Sequence, residues 1–355
     1  MWGLTVYSKI TEKVSLGYSI LRSANYALQG VLLPWVDVLA TGRRRDVPRD
    51  YVQHLWQALP KIRALLERDA KNISEGLYPV EVLRPEGPLE HGLRLPFVYL
   101  DAFRSAQRRN KKETKVFDAS ADELLEDVPE YYRRNFHFQS NGYLGKSSAD
   151  LYEHQVEILF SGAADAMRRL LIPSLKKHFA HAGDGTGLHF LEIGSGTGRL
   201  TRFIALAFPK AHITCVDLSS FYLKEAQVRL GSFHRIDYMQ GKGEALPLVD
   251  GTFDAVFSCF LFHELPSDVR VAMIKEGKRL LKPNGLYGMV DSLQWDDDSE
   301  FNWALEQFAK DFHEPFYKDY TKKPLEALLK EAGFSDVQAE IGFLSKAVTG
   351  VISQK

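Results

Sequence analysis

The segment LHFLEIGSGTGRL places Gly194, Gly196 and Gly198 in a turn between an apolar run and a helical pattern, with Glu192 near the end of the run. Glycine allows a tight turn and close approach of a ligand to the backbone, and a helix start offers unpaired N–H groups. Asp217, 19 residues after Gly198, ends a second apolar run in CVDLSS. A carboxylate there can accept both hydroxyl protons of an adenosine ribose, so loop and acid together point to a nucleotide-like ligand. The absence of a following Gly-Lys-Ser/Thr excludes a phosphate loop. Arg199 stands where the dinucleotide fingerprint GxGxxG needs glycine, which disfavours NAD.

Acid–base chemistry is concentrated in three further clusters. CFLFHELP carries His263 and Glu264 just beyond a strand pattern; a histidine there either accepts a proton near neutral pH or lines the pocket and caps a helix. VDSLQWDDD and DFHEPFYKDY contribute Asp291, Gln294, His313, Glu314, Tyr317 and Tyr320, with the helical FNWALEQFAK between them. An insert of that kind either closes over a site and excludes water or simply packs its aromatics. EYYRRNFHFQSNGYLGKSSADLYEHQ mixes Tyr143 and Tyr152 with Asn135, His137 and Gln139, a composition suited to a pocket wall or a domain interface. His263 and His313 are the candidate catalytic residues. His137, Tyr143, Tyr152, Asp291, Gln294, Tyr317 and Tyr320 are the candidate substrate contacts. No metal is expected: HELPSD lacks the second histidine of HExxH, and Cys215 and Cys259 lie apart in apolar strand patterns.

The elements that position these groups are read from periodicity. Residues 1–130 show long helical stretches broken by the Pro- and Gly-containing tract LYPVEVLRPEGPLEHGLRLP, and the basic run RRNKKETK reads as a helix end or loop. Residues 150–177 read as an amphipathic helix, with Tyr152, Val156, Leu159, Phe160, Ala163, Met167, Leu170 and Leu171 on one face. Asp165, Arg168, Arg169, Lys176 and Lys177 supply its charged side, and Pro173 bends or ends it. After the linker HAGDGTG, short apolar strands alternate with helices, which implies a mostly parallel sheet covered on both faces. The tail VQAEIGFLSKAVTGVIS holds two strands joined by a tight connection, placing an antiparallel strand in that sheet.

EIGSGTG at 192–198, Asp217, QGKGEALP at 240–247, FDAVFS at 253–258 and EGKRLLKPNG at 276–285 together resemble a class I S-adenosylmethionine-dependent methyltransferase of the type-11 or quinone-methyltransferase-like branch. The likeness spans roughly residues 145–352. It implies a Rossmann-like seven-stranded sheet and S-adenosylmethionine as cofactor. It further implies methionine-moiety contacts near Glu192 and Gly194, ribose contacts at Asp217, and adenine contacts around Gly243 and Glu244. Ser195, Gly196, Gly198, Leu218 and Phe260 complete the implied cofactor set. The family commonly has GlyAspAla where this chain has Gly241, Lys242 and Gly243. A lysine cannot accept from the adenine amino group, so Lys242 should turn elsewhere and Glu244 is the candidate substitute.

The 355 residues, 45% hydrophobic and with a formal net charge of -1, exclude a largely disordered chain and give no global basic field for nucleic acid. The expected organisation is a mainly helical, substrate-enclosing region at 1–145 and a methyltransferase domain at 146–352 with a lid-like insertion at 292–323. The expected reaction is in-line methyl transfer to a small aromatic or apolar molecule. The alternatives are a protein or RNA methyltransferase, or an inactive cofactor-binding partner protein. SCFLFH at 258–263 lacks the Asn/Asp-Pro-Pro-Tyr/Phe motif that would favour amino-group methylation of a base. A cytoplasmic location is expected, since the N-terminus lacks a secretory signal and YALQGVLLPWVDVLATG is interrupted by Pro34 and Asp37. Trp35 followed by Arg43, Arg44 and Arg45 leaves peripheral membrane contact open.

Overall fold

The computed structural model describes residues 2–44, 50–85 and 87–353. The first part is helical: α1 (Trp2–Gly30), α2 (Leu33–Thr41), α3 (Tyr51–Ser74), α4 (Pro88–Lys111) and the single turn α5 (Ala119–Asp122). Pro34 sits in the first turn of α2, where its missing N–H costs nothing, and left-handed Gly42 ends that helix. Trp35 and Leu39 of α2 are exposed, whereas Asp37 is buried and pairs with Arg109 of α4. Arg43 and Arg44 are exposed, and Arg45 lies outside the described residues. The Pro- and Gly-rich tract is irregular only in its first half. From Pro88 onward it is helix, with Pro96 inside α4, because a proline at the helix start is preorganised for the turn.

Residues 150–177 form three helices and not one: α6 (Lys146–Leu159), α7 (Ala164–Arg168) and α8 (Leu171–His178). The break falls at Ser161 and Gly162, both with positive φ, and Pro173 is accommodated in the first turn of α8. Gly162 has φ +76°, and a Cβ there would lie 2.7 Å from Ser23 Cα. The chain turns at this point so that α1 can approach α6 and α7 at backbone distance.

Of the charged side expected of this segment, Asp165, Arg168 and Arg169 are buried, while Lys176 is half-buried and Lys177 exposed. Asp165 accepts from Arg22 of α1 (2.9 Å), from Arg168 (3.3 Å) and from both Nε (2.8 Å) and Nη2 of Arg199. Arg169 makes a two-bond fork to Asp69 of α3, at 2.8 and 2.7 Å, and Tyr78 donates to the same carboxylate. Burial disfavours ionised Asp165, yet the Arg199 and Arg22 guanidiniums hold its carboxyl well below the usual range. Leu65, Leu66, Ile73 and Tyr78 join the same apolar core as the sheet residues, so the core runs unbroken past residue 145.

The remaining elements alternate: β1 (His189–Ile193), α9 (Arg199–Ala207), β2 (His212–Asp217), α10 (Ser220–Leu230), β3 (Ile236–Gln240), β4 (Phe253–Cys259), α11 (Ser267–Leu280) and β5 (Leu281–Ser292). Then follow α12 (Asn302–Asp311), the single turn α13 (Tyr317–Tyr320), α14 (Leu325–Glu331), β6 (Ser335–Gly342) and β7 (Ser345–Val351). They build one seven-stranded sheet of order β3-β2-β1-β4-β5-β7-β6, parallel from β3 through β5. β7 runs antiparallel to both of its neighbours, as the tight 342–345 connection requires. The order reverses between β1 and β4, and ligands of such sheets bind beyond the carboxyl ends of the strands at that point.

Asp165 is the shared partner of three guanidiniums from α1, α7 and α9. Asp165→Asn removes the one carboxylate all three share, leaving Arg22 with Glu157 and Arg168 with Glu153, and an expected loss of about 3–5 kcal/mol follows from breaking the buried network. The urea unfolding midpoint, with the slope unchanged, measures it.

Candidate functional site

Two cavities adjoin at the β1–β4 reversal. The first, whose empty space including its open mouth is about 940 Å³, is walled by Gly194, Ser195 and Gly196 of the glycine turn, Asp217, Leu218, Gly243 and Glu244, with Tyr131, Tyr132 and Tyr143 covering it, whereas Gly198 packs against Leu230 and Ala226 of α10 and does not line it. Gly196 has φ +54°, and a Cβ added there would meet only the Tyr222 ring at 3.8 Å, so the turn leaves open space beside its own backbone. Asp217 holds the turn by accepting from Gly196 N and Ser219 N, each at 2.8 Å. Ionised, it has lone pairs to spare beyond these two bonds. Burial pushes its pKa up to about 6 against the pull of those backbone N–H groups.

Glu192 sits deeper, bonded by Thr201, and burial pushes its carboxyl up to about 8. Ser195 N donates to Val216 O (2.9 Å), completing the tie between the turn and β2. Lys242 is exposed, while Glu244 takes a bond from Tyr131 Oη (2.9 Å) on one oxygen and has the other buried without a partner. Arg199, the residue that breaks the dinucleotide fingerprint, opens α9 and ties it to Asp165.

The second cavity, about 620 Å³ with its opening included, shares Tyr152, Phe260 and Glu264 with the first. Phe160, Phe308 and Tyr317 make it largely apolar, and Phe308 and Tyr317 come from the 292–323 insertion. His263 faces it from the 3-10 turn after β4. Its Nδ1 lies 2.6 Å from Asp291 Oδ1, and the other Asp291 oxygen accepts from Leu261 N and Phe262 N at 3.1 and 2.7 Å. Asp291 thus fixes both the ring and the backbone that carries it. Burial opposes a charge on His263, but Asp291 outweighs it and raises the pKa.

Several predicted site residues meet here: His137, Tyr143, Tyr152, His263 and Tyr317 line one cavity or the other, and Asp291 acts through His263. Gln294 and Tyr320 line neither of these cavities. Gln294 donates to Tyr320 O and Lys323 O and accepts from Leu325 N, and Tyr320 donates to Ser292 O, so both pin the insertion to the sheet. His313 lines neither cavity as well; it lies against Phe138, and burial with the Arg134 and His137 charges pushes its pKa down to about 4. Tyr131, Tyr132, Tyr222 and Glu153 were not singled out by sequence reasoning. The first two belong to the aromatic cluster EYYRRNFHF, the one available signal.

The sheet order, the glycine turn and the acid at the end of β2 are those of a class I methyltransferase, and residues 190–285 match the family model described as a methyltransferase domain. The chain carries such a domain. It is similar to a malonyl-acyl-carrier protein O-methyltransferase of Geobacter sulfurreducens, 30% identical over 42% of this chain and 56% of that protein. A ubiquinone/menaquinone biosynthesis C-methyltransferase of Methylobacterium nodulans is 29% identical over 40% of this chain and 55% of its own. A demethylmenaquinone methyltransferase of Lactococcus lactis is 27% identical over 54% of this chain and 87% of its own. The chain spans about half the length of the first two curated relatives. Among the described residues no helix is long and apolar enough to cross a membrane.

The His263 ring should titrate above the ordinary 6.5 in the intact protein. Asp291→Asn removes the larger of the charges that raise it and leaves burial, which lowers it, against Glu264 alone, so the value should fall from that of the parent. Histidine NMR across pH 5 to 9 reads both, and an unmoved resonance in the variant would remove Asp291 from the account.

Proposed function

We propose that the chain transfers a methyl group from S-adenosylmethionine to a small aromatic or apolar molecule held in the second cavity. The observation that carries this reading is the junction at Tyr152, Phe260 and Glu264, where the cavity built by the glycine turn opens onto an aromatic cavity faced by His263. The first cavity suits an adenosyl group: Asp217 has acceptor capacity for ribose hydroxyls, and the unpartnered Glu244 oxygen offers an acceptor for an adenine amino group. Bound there, S-adenosylmethionine supplies a methyl on a cationic sulfur.

The protein's own task is alignment and desolvation. Glu192 and the glycine turn hold the methionine end, as the family resemblance implies. Tyr143, Tyr152 and Tyr222, whose ring centroids lie 5.4 to 6.2 Å apart, form an aromatic wall that keeps water from the junction. Phe308 and Tyr317 roof the acceptor. With Nδ1–H donating to Asp291, His263 has Nε2 free to take a proton from a hydroxyl or acidic carbon of the acceptor as it attacks. Residues 1–145 contribute His137 and Tyr143 to the enclosure, and the near-neutral charge supports a small acceptor over nucleic acid.

Calorimetric titration should show saturable binding of S-adenosylmethionine and none of NAD. Asp217→Ala should weaken it at least about 10-fold, the effect of losing charge-assisted hydrogen bonds. Affinity should also fall as pH drops through about 6, where Asp217 gains a proton and loses acceptor capacity. No binding to the folded protein would overturn the assignment.

With labelled cofactor and a panel of phenols and quinols, label should appear in the small-molecule fraction, and His263→Ala should lower kcat by about 100-fold or more. Label recovered only in protein or RNA would overturn the acceptor class.

A further inference from the structure

Behind the junction, three side chains from distant segments converge. His137 comes from the 3-10 turn Phe136–Phe138, Glu264 from the 3-10 turn Phe262–Glu264, and Glu314 from the loop after α12. His137 Nδ1 lies 3.1 Å from Glu314 Oε1, and its Nε2 lies 3.4 Å from Glu264 Oε1. One ligand atom from each of the three falls within 4.8 Å of the others. Ligands held at about 2.0–2.2 Å on one tetrahedral ion stand about 3.3–3.6 Å apart, so closing the set takes a movement of about 1 Å at its widest pair.

Glu314 makes the cluster more than a group of acids. Its side chain is 0% exposed, and the polar groups that face its carboxyl come from His137, the ring Nδ1 at 3.1 Å and the backbone N–H. A buried carboxyl in that state is costly, and burial beside Glu264 and Asp291 holds its pKa well above the carboxylate range. Glu264, by contrast, is oriented by Tyr143 Oη, which donates to it and lies 3.1 Å from His137 Nε2. One acid is held by a tyrosine, and its neighbour only by His137, the third member of the set.

We infer that His137, Glu264 and Glu314 form a site for one divalent transition-metal ion. One imidazole with two carboxylates suits manganese, iron(II) or zinc, whereas magnesium and calcium prefer an all-oxygen set. His137 and Glu264 also line the second cavity, so an ion here keeps coordination positions open toward a bound acceptor, where an oxygen atom of that molecule can be held. Metal binding itself does not depend on the proposed methyl transfer.

The test uses the full chain, treated with a chelator and then dialysed against manganese(II) or zinc(II). Bound metal is counted by elemental analysis, and free manganese by electron paramagnetic resonance. One ion per chain is expected, with affinity at least 10-fold weaker in Glu314→Gln and in His137→Ala. Glu340→Gln, far along the sheet edge, should bind as the parent does. Glu314→Gln removes a buried acid without changing its shape, so without metal it should melt no lower than the parent; metal should raise the melting temperature of the parent alone. Absence of stoichiometric binding at millimolar manganese and zinc overturns the site, and so does equal binding by the parent and Glu314→Gln. Binding of a primary amine such as phenethylamine by the metal-free parent, lost in Glu314→Gln, would show instead that the two glutamates receive an ammonium group.

Discussion

The carboxylate of Asp165 is the point through which the helical region and the ligand-binding loop become one structure. It is shared by Arg22 from α1, Arg168 from its own helix and Arg199 from the first turn of α9. Arg199 follows directly on the glycine turn, so the direction in which α9 leaves that turn is set by its fork to Asp165 of α7, a carboxylate that Arg22 of the first helix also holds. Arg168 extends the network to Glu153, which in turn accepts from Thr197 inside the turn. Buried ion pairs add little net stability over apolar packing, but they tolerate few alternative geometries. Here that intolerance falls on the backbone that surrounds the ligand.

The second cavity follows a similar logic with different chemistry. Asp291, at the end of β5, reaches across to β4 and fixes His263 and the two N–H groups before it. Gln294, three residues later, pins the far end of the insertion through three backbone bonds. Between these anchors the insertion carries Phe308 and Tyr317 over the cavity. The strand end therefore anchors the His263 ring and the roof together.

The sheet was legible because its strands are short, apolar and punctuated by turns, and because the glycine turn and Asp217 declare the ligand end. β3 lacked a pattern of its own: as an edge strand it buries little beyond Ile236, so no alternation marks it. The single helix expected over 150–177 failed because periodicity does not register a two-residue break made for a neighbour 140 residues away, at Ser23. For the same reason Asp165, Arg168 and Arg169 read only as the charged side of that helix. Buried charge is invisible in sequence until its partners are placed. Cavity residues contributed by neighbouring strand ends were foreseen best, and the least visible were those, such as Tyr131 and Tyr132, that reach the first cavity from a short 3-10 turn.

The position of β7 has a consequence for how the protein is made. It is the last strand of the sheet in sequence, yet it lies between β5 and β6 and hydrogen-bonds to both. Until residue 351 has cleared the ribosome, β5 carries an open edge and β6 has no sheet to join. Unpaired edges of apolar strands invite pairing with other chains. Lys346, buried on β7 between Asp297 and Glu326, also gives those acids their countercharge only on completion. During synthesis the nascent sheet therefore passes through a stage with an exposed β5 edge and two unneutralised carboxylates, a stage at which a holding chaperone has most to protect.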